Sequence, residues 1–129
     1  MLSDVHSTAF FTASGAGYEP TPSAQSHWGE DHLSGPAMVG LAALALENAC
    51  AIDGFQPVRL TVDLVRAARS AHTTVEVEVV RDGRRMHSAR CEVMQSGRVV
   101  TRATLVQFRA SAPPPGDLWA SGDTFPFHP

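Results

Sequence analysis

The chain's most constraining feature is a stretch without a single charged residue, Gly35-Pro36-Ala37-Met38-Val39-Gly40-Leu41-Ala42-Ala43-Leu44-Ala45-Leu46, closed by Glu47. Its start is well marked. Ser34 is a good N-cap, because its hydroxyl can accept from an orphan amide of the first turn. Pro36 brings a pre-set φ and lacks an N–H that would go unpaired there. The spacing therefore predicts a helix beginning after Ser34. A surface helix carries a polar stripe, and a helix apolar all round must be enclosed. At about 1.5 Å per residue it spans roughly 18–20 Å, too short to cross a bilayer. The enclosure has to be protein. Strands follow the helix, so the expected architecture is α+β, a long central helix wrapped by an antiparallel sheet.

Those strands are legible by alternation. Val58 to Arg66 alternates apolar and polar residues, the period of a half-buried strand. Thr73 to Arg81 places Val75, Val77 and Val79 on one face and Glu76 and Glu78 on the other, and Asp82-Gly83 is a hairpin signal. A third strand is expected from Arg85 to Gln95, with Ser96-Gly97 as the next turn. The fourth, Arg98 to Arg109, sets Val100, Thr104, Val106 and Phe108 on one side and Val99, Ala103 and Leu105 on the other. Ahead of the helix, residues 1–8 read as a loose end and Ala9–Thr12 as a short strand. Gly15-Ala16-Gly17 then turns into Tyr18–Thr21, and a loop rich in Pro, Ser and His leads through Trp28 to the helix. Asp53-Gly54 stops the helix. Beyond Ser111, Pro113-Pro114-Pro115-Gly116 cannot be core strand, since prolines donate nothing to a ladder. Trp119, Phe125 and Phe127 in this stretch are expected to pack on something. The expected organisation is one domain over residues 1–110 and a Pro-rich tail or linker over 111–129.

Composition narrows the function classes. A chain of 129 residues is long enough to bury a core without staples. A net charge of −3 with no basic stripe argues against nucleic acid as partner. The N-terminus, with Asp4 and His6, lacks a positive region followed by an apolar run, so no signal peptide is read and the cytoplasm is expected. Cys50 and Cys91 have neither metal nor CxxC spacing. A disulfide between them stays open, and two buried thiols is the plainer reading. His6, His27, His72, His87 and His128 show no metal-ligand spacing, so no metal site is expected.

The residues also carry a resemblance. His32-Leu33-Ser34-Gly35-Pro36 at the helix start, Val62-Asp63-Leu64-Val65-Arg66-Ala67, Val80-Arg81-Asp82-Gly83-Arg84-Arg85 with Ala89-Arg90, Gln95-Ser96-Gly97-Arg98, and Thr101-Arg102-Ala103-Thr104 with Phe108 follow one another in the order seen in a known family. Over roughly residues 10–110 the chain resembles the N-terminal half of the type II acyl-CoA thioesterases, which join two hotdog units in one polypeptide. The resemblance implies a single hotdog fold, an acyl-CoA or related thioester as ligand, no cofactor, no membrane, and a homodimer or higher hotdog oligomer. Three departures stand out. Ala67 replaces the family's strand-ending proline, and Pro36 replaces a glycine at the helix start. The family's catalytic Asp, Thr and Gln lie in its second hotdog and match no position here. The Pro-rich tail resembles the linker between the two units.

Thioester hydrolysis needs a polariser for the carbonyl, a base or nucleophile, and a slot for the acyl-pantetheine arm. Ser34, Gly35 and Met38 at the helix start are candidates for the first and third, through free amides and the positive end of the helix dipole. The competing reading leaves Ser34 as a cap alone. Asp31 could activate water with His32 sharing the proton; alternatively Asp31 offsets the dipole and His32 packs at the surface. Asp63 is a candidate second carboxylate facing a cavity, or else points to solvent. Arg81 and Arg84, with Arg85, Arg90 and Arg98, could meet the phosphates of coenzyme A, or form a solvated turn around Asp82. Trp28 could line the tunnel or stack on adenine, or instead close a core. Two functions follow: an acyl-CoA thioesterase-like protein hydrolysing or binding acyl-CoA at a dimer interface, or a non-catalytic acyl-thioester-binding module, possibly half of a split double hotdog.

Overall fold

The structure is a computed structural model and describes residues 9–124 and Pro126. Asp4, His6, Phe125, Phe127 and His128, named above, lie outside the described residues.

Helix α1 spans Gly35–Cys50. Its start follows from the sequence: the Ser34 hydroxyl accepts the Ala37 N–H at 3.3 Å, and Pro36 sits in the first turn. It ends at Cys50, after which Asp53-Gly54 turns the chain, with Gly54 at φ 81° and the Phe55 N–H donating to Ile52 O at 3.1 Å. Strands β1 (Phe11–Ser14) and β2 (Gly17–Pro20) form a small hairpin before the helix. After it come β3 (Phe55–Leu64), β4 (Thr74–Asp82), β5 (Met86–Gln95) and β6 (Arg98–Arg109). These four make one antiparallel sheet in the order β3-β6-β5-β4. Helix α1 touches all four strands. Four strands about 4.8 Å apart are wider than a helix backbone, so the sheet wraps around the helix to reach it from both edges.

Alternation fixes what each sheet face carries. Ala89, Cys91 and Val93 of β5 and Ala103 and Leu105 of β6 are buried with Ala37, Met38, Leu41, Ala42, Leu46 and Cys50 of the helix. Val62 of β3 and Val75 and Val77 of β4 flank this core. The opposite face carries Glu78 and Arg90 in register, and Asp63, Arg102 and Glu92 in register across β3, β6 and β5. Cys50 and Cys91 are both buried and unbonded, and burial pushes each thiol's pKa up. No helix among the described residues is long and apolar enough to cross a membrane.

The structure departs from the sequence reading in several places. β3 begins at Phe55 rather than Val58 and runs through Pro57. An edge strand tolerates proline because one side of its ladder is unpaired, and the register slips between Pro57 and Arg59. The hairpin at Asp82-Gly83 spans residues 83–85, with the Gly83 N–H on Met86 O at 3.0 Å. Ser96 and Gly97 both take positive φ, 49° and 72°, which suits the twist of a two-residue hairpin. Val100, expected opposite Ala103, joins the core because the β5–β6 register shifts at Val93/Met94. The enclosure of the helix is incomplete: Leu44 is 47% exposed, on one stripe with exposed Pro36 and Gly40. Trp119, expected to pack, is 89% exposed.

Candidate functional site

The start of α1 is held by three segments. The Leu33 N–H donates to Ala68 O at 2.9 Å and the Ser34 N–H to Ala24 O at 2.8 Å. These anchors leave the first turn with few spare donors. Pro36 has no N–H, the Ala37 amide is taken by the Ser34 hydroxyl, and the Met38 amide donates to Ser34 O at 3.3 Å. The Gly35 N–H alone has no acceptor among the described residues. Gly35 is required here for space, since a Cβ would lie 3.2 Å from Leu64 Cδ1. The helix mouth therefore offers one amide and the positive end of a 16-residue dipole, beside the C-terminal end of β3.

Asp31 and His32 stand in the loop leading to this mouth. The exposed Asp31 accepts the Ser70 N–H with its Oδ1 at 3.3 Å and its main-chain oxygen at 3.4 Å. His32 lies against Gly29, where any side chain would collide with its Nδ1, and that nitrogen is buried without a hydrogen-bond partner. Its main-chain oxygen accepts the Ser26 N–H at 2.7 Å. The segment receiving these contacts is itself pinned. The buried Gln95 carboxamide accepts the Arg69 N–H at 2.8 Å and donates to Arg69 O at 2.8 Å and to Thr73 Oγ1 at 2.9 Å. Trp28 is 96% exposed at the tip of the same loop, beside a hollow of about 470 Å³. Met38 is 2% exposed and belongs to the core.

Asp63 is not brought to this mouth. It faces Arg102 in register on the sheet face away from the helix, and Arg102 pairs with Glu92 at 2.9 Å. The alternation of Leu60, Val62 and Leu64 with Thr61 and Asp63 carried this signal in the sequence. Arg81 and Arg84 meet instead at the other end of the sheet. With Arg85, Arg109, Met86 and Phe108 they line a groove of about 850 Å³. The Arg109 guanidinium holds Arg84 O at 2.8 Å through Nε and sits 4.7 Å above the Phe55 ring. Phe55 and Leu64 are opposite ends of a 10-residue strand, so the groove and the helix mouth of one chain are separated by roughly 30 Å. Arg109, Met86 and Phe108 were not singled out from sequence for this groove. Their signal was the strand pairing that sets the end of β6 against the start of β5. Thr101 was also missed: it is fully buried on the helix side of β6, with an unpartnered hydroxyl.

Comparison with known proteins gives the following. Residues 24–108 match the family described as acyl-CoA thioesterase N-terminal domain. No curated protein sequence matches the chain. Similar solved structures include a Bacillus halodurans protein with CoA, at TM-score 0.61 and 16% identity, covering 74% of this chain and 66% of that one. A hypothetical thioesterase from Streptococcus pneumoniae with coenzyme A aligns at TM-score 0.62 and 19% identity, over 70% and 75% of the two chains. A Thermus thermophilus thioesterase complexed with coenzyme A and zinc aligns at TM-score 0.62 and 19% identity, over 78% and 81%. At these identities the likeness is one of fold.

Proposed function

Because the chain belongs to the acyl-CoA thioesterase N-terminal domain family and has its single hotdog fold, we propose that it takes an acyl-CoA thioester at the mouth of α1 and hydrolyses it there. The observation that carries this reading is the free Gly35 amide at the positive end of the helix, next to Asp31 and His32. The thioester oxygen points to that amide, so charge developing on it meets a fixed donor and the dipole. Asp31, exposed and holding only the Ser70 amide, takes a proton from water. The water oxygen bonds to the carbonyl carbon, the C–S bond breaks, and the thiolate leaves to be protonated by solvent. Asp63 takes no part in this step.

The dimer belongs to the same proposal. β3 is a free sheet edge, with Val58 51%, Leu60 38% and Leu64 54% exposed, which supports pairing with a second copy along it. A two-fold antiparallel pairing of β3 with itself sets the Phe55 end of one copy beside the Leu64 end of the other. The arginine groove of one copy then comes to the same end of the joined sheet as the helix mouth of the other, within reach of the phosphates of coenzyme A. A second reading, a binding module without turnover, is supported by Pro36, which leaves one amide where oxyanion sites usually supply two donors.

A thiol-release assay over acyl-CoAs of graded length tests both. Hydrolysis that falls at least about a hundredfold in Asp31→Ala but stays near wild type in Asp63→Ala is the expected result. No release from any acyl-CoA, with a raised melting temperature in their presence, would leave the binding module. A monomer by light scattering at micromolar concentration would remove the β3 pairing.

A further inference from the structure

The tail leaves the sheet at the arginine groove itself, since Ala110 and Ser111 form part of its lining. Pro113, Pro114 and Pro115 favour a stiff polyproline II spacer of roughly 9 Å. Gly116 follows at φ 137°, in the region that favours glycine, where the chain can reverse. The next residues are Asp117, Leu118 and Trp119, and the last two are 87% and 89% exposed. The groove is the complement of that segment. It offers four guanidinium groups, on Arg81, Arg84, Arg85 and Arg109, around an apolar floor of Met86 and the 48% exposed Phe108. Three residues after the reversal span about 10 Å, which returns them over the point of departure.

We propose that Asp117–Trp119 folds back into this groove as an internal strap, the Asp117 carboxylate meeting the arginines and Leu118 and Trp119 covering Met86 and Phe108. A ligand bringing phosphates to the groove must then displace the strap, so the tail sets a threshold for occupancy. This second half rests on the reading of the groove as a phosphate site.

The test uses the full chain with Trp28→Phe, so that fluorescence reports Trp119 alone. Acrylamide quenching of Trp119 is expected to be at least twofold weaker than in the same chain carrying Arg84→Glu and Arg85→Glu. Asp117→Lys should release Trp119 in the same way. Equal quenching in all three chains overturns the strap, and so does protection that grows with protein concentration, which would mean docking on another copy. Calorimetric titration with coenzyme A forms the second arm. Affinity several-fold higher in Trp119→Ala than in the full chain is expected. Equal affinity in both chains overturns the displacement. No binding to either chain defeats the phosphate reading of the groove, while the quenching result still decides the strap.

Discussion

On the sheet face turned to α1, Ala89, Cys91, Val93, Ala103 and Leu105 lie buried against the helix, whereas the opposite face carries Glu78 beside Arg90 and Asp63, Arg102 and Glu92 in a row. The same four strands build both surfaces. Toward the helix, stability comes from filling space, so it depends on volume and on every polar atom finding a partner. Toward solvent it comes from charge pairs in water, each of small effect. A residue's face therefore predicts the size of its contribution better than its chemical type does.

The largest expected effect follows from deleting volume on the enclosed side. Leu46 is fully buried, and Leu46→Ala should lose about 2–5 kcal/mol of unfolding free energy in urea. A loss below about 1 kcal/mol would mean that the helix face is loosely filled. The Thr101 hydroxyl, buried and unpartnered on that same side, is an exception to its rule. Thr101→Val keeps the shape and removes the orphan, so the same measurement should show a gain of about 1 kcal/mol. A loss instead would reveal a hidden partner for the oxygen. The smallest effect belongs to the solvent side. Glu78 and Arg90 approach to 2.7 Å but are 62% and 61% exposed, so Glu78→Gln should cost no more than about 0.5 kcal/mol. That difference should vanish in high salt; a larger, salt-resistant loss would erase the distinction between the faces.

Much of this was legible in the sequence. Ser34 and Pro36 marked the helix start, and Val75, Val77 and Val79 against Glu76 and Glu78 marked a strand and its faces, because both signals are local. Val100 went wrong because a register shift sits between strands and leaves no trace in one strand's alternation. The outward stripe of Pro36, Gly40 and Leu44 was hidden for a related reason: an unbroken apolar run says that a helix will be covered, not which molecule covers each side. At the candidate site, the arginines near the turn were visible, and Arg81 and Arg84 do share a groove. The distance of that groove from Asp31 and His32 was not visible, since it depends on strand pairing across the whole sheet.

The Gln95 carboxamide joins the approach to the helix mouth to the body of the molecule. It uses both its donors and its carbonyl on Arg69 and Thr73, while the neighbouring Ala68 and Ser70 hold Leu33 and Asp31. Any motion that swings Asp31 outward therefore tugs on the end of β5, and loosening that end frees the acid in turn. The two should breathe together, with deuterium entering the amides of Leu33, Arg69 and Ser70 at one shared rate.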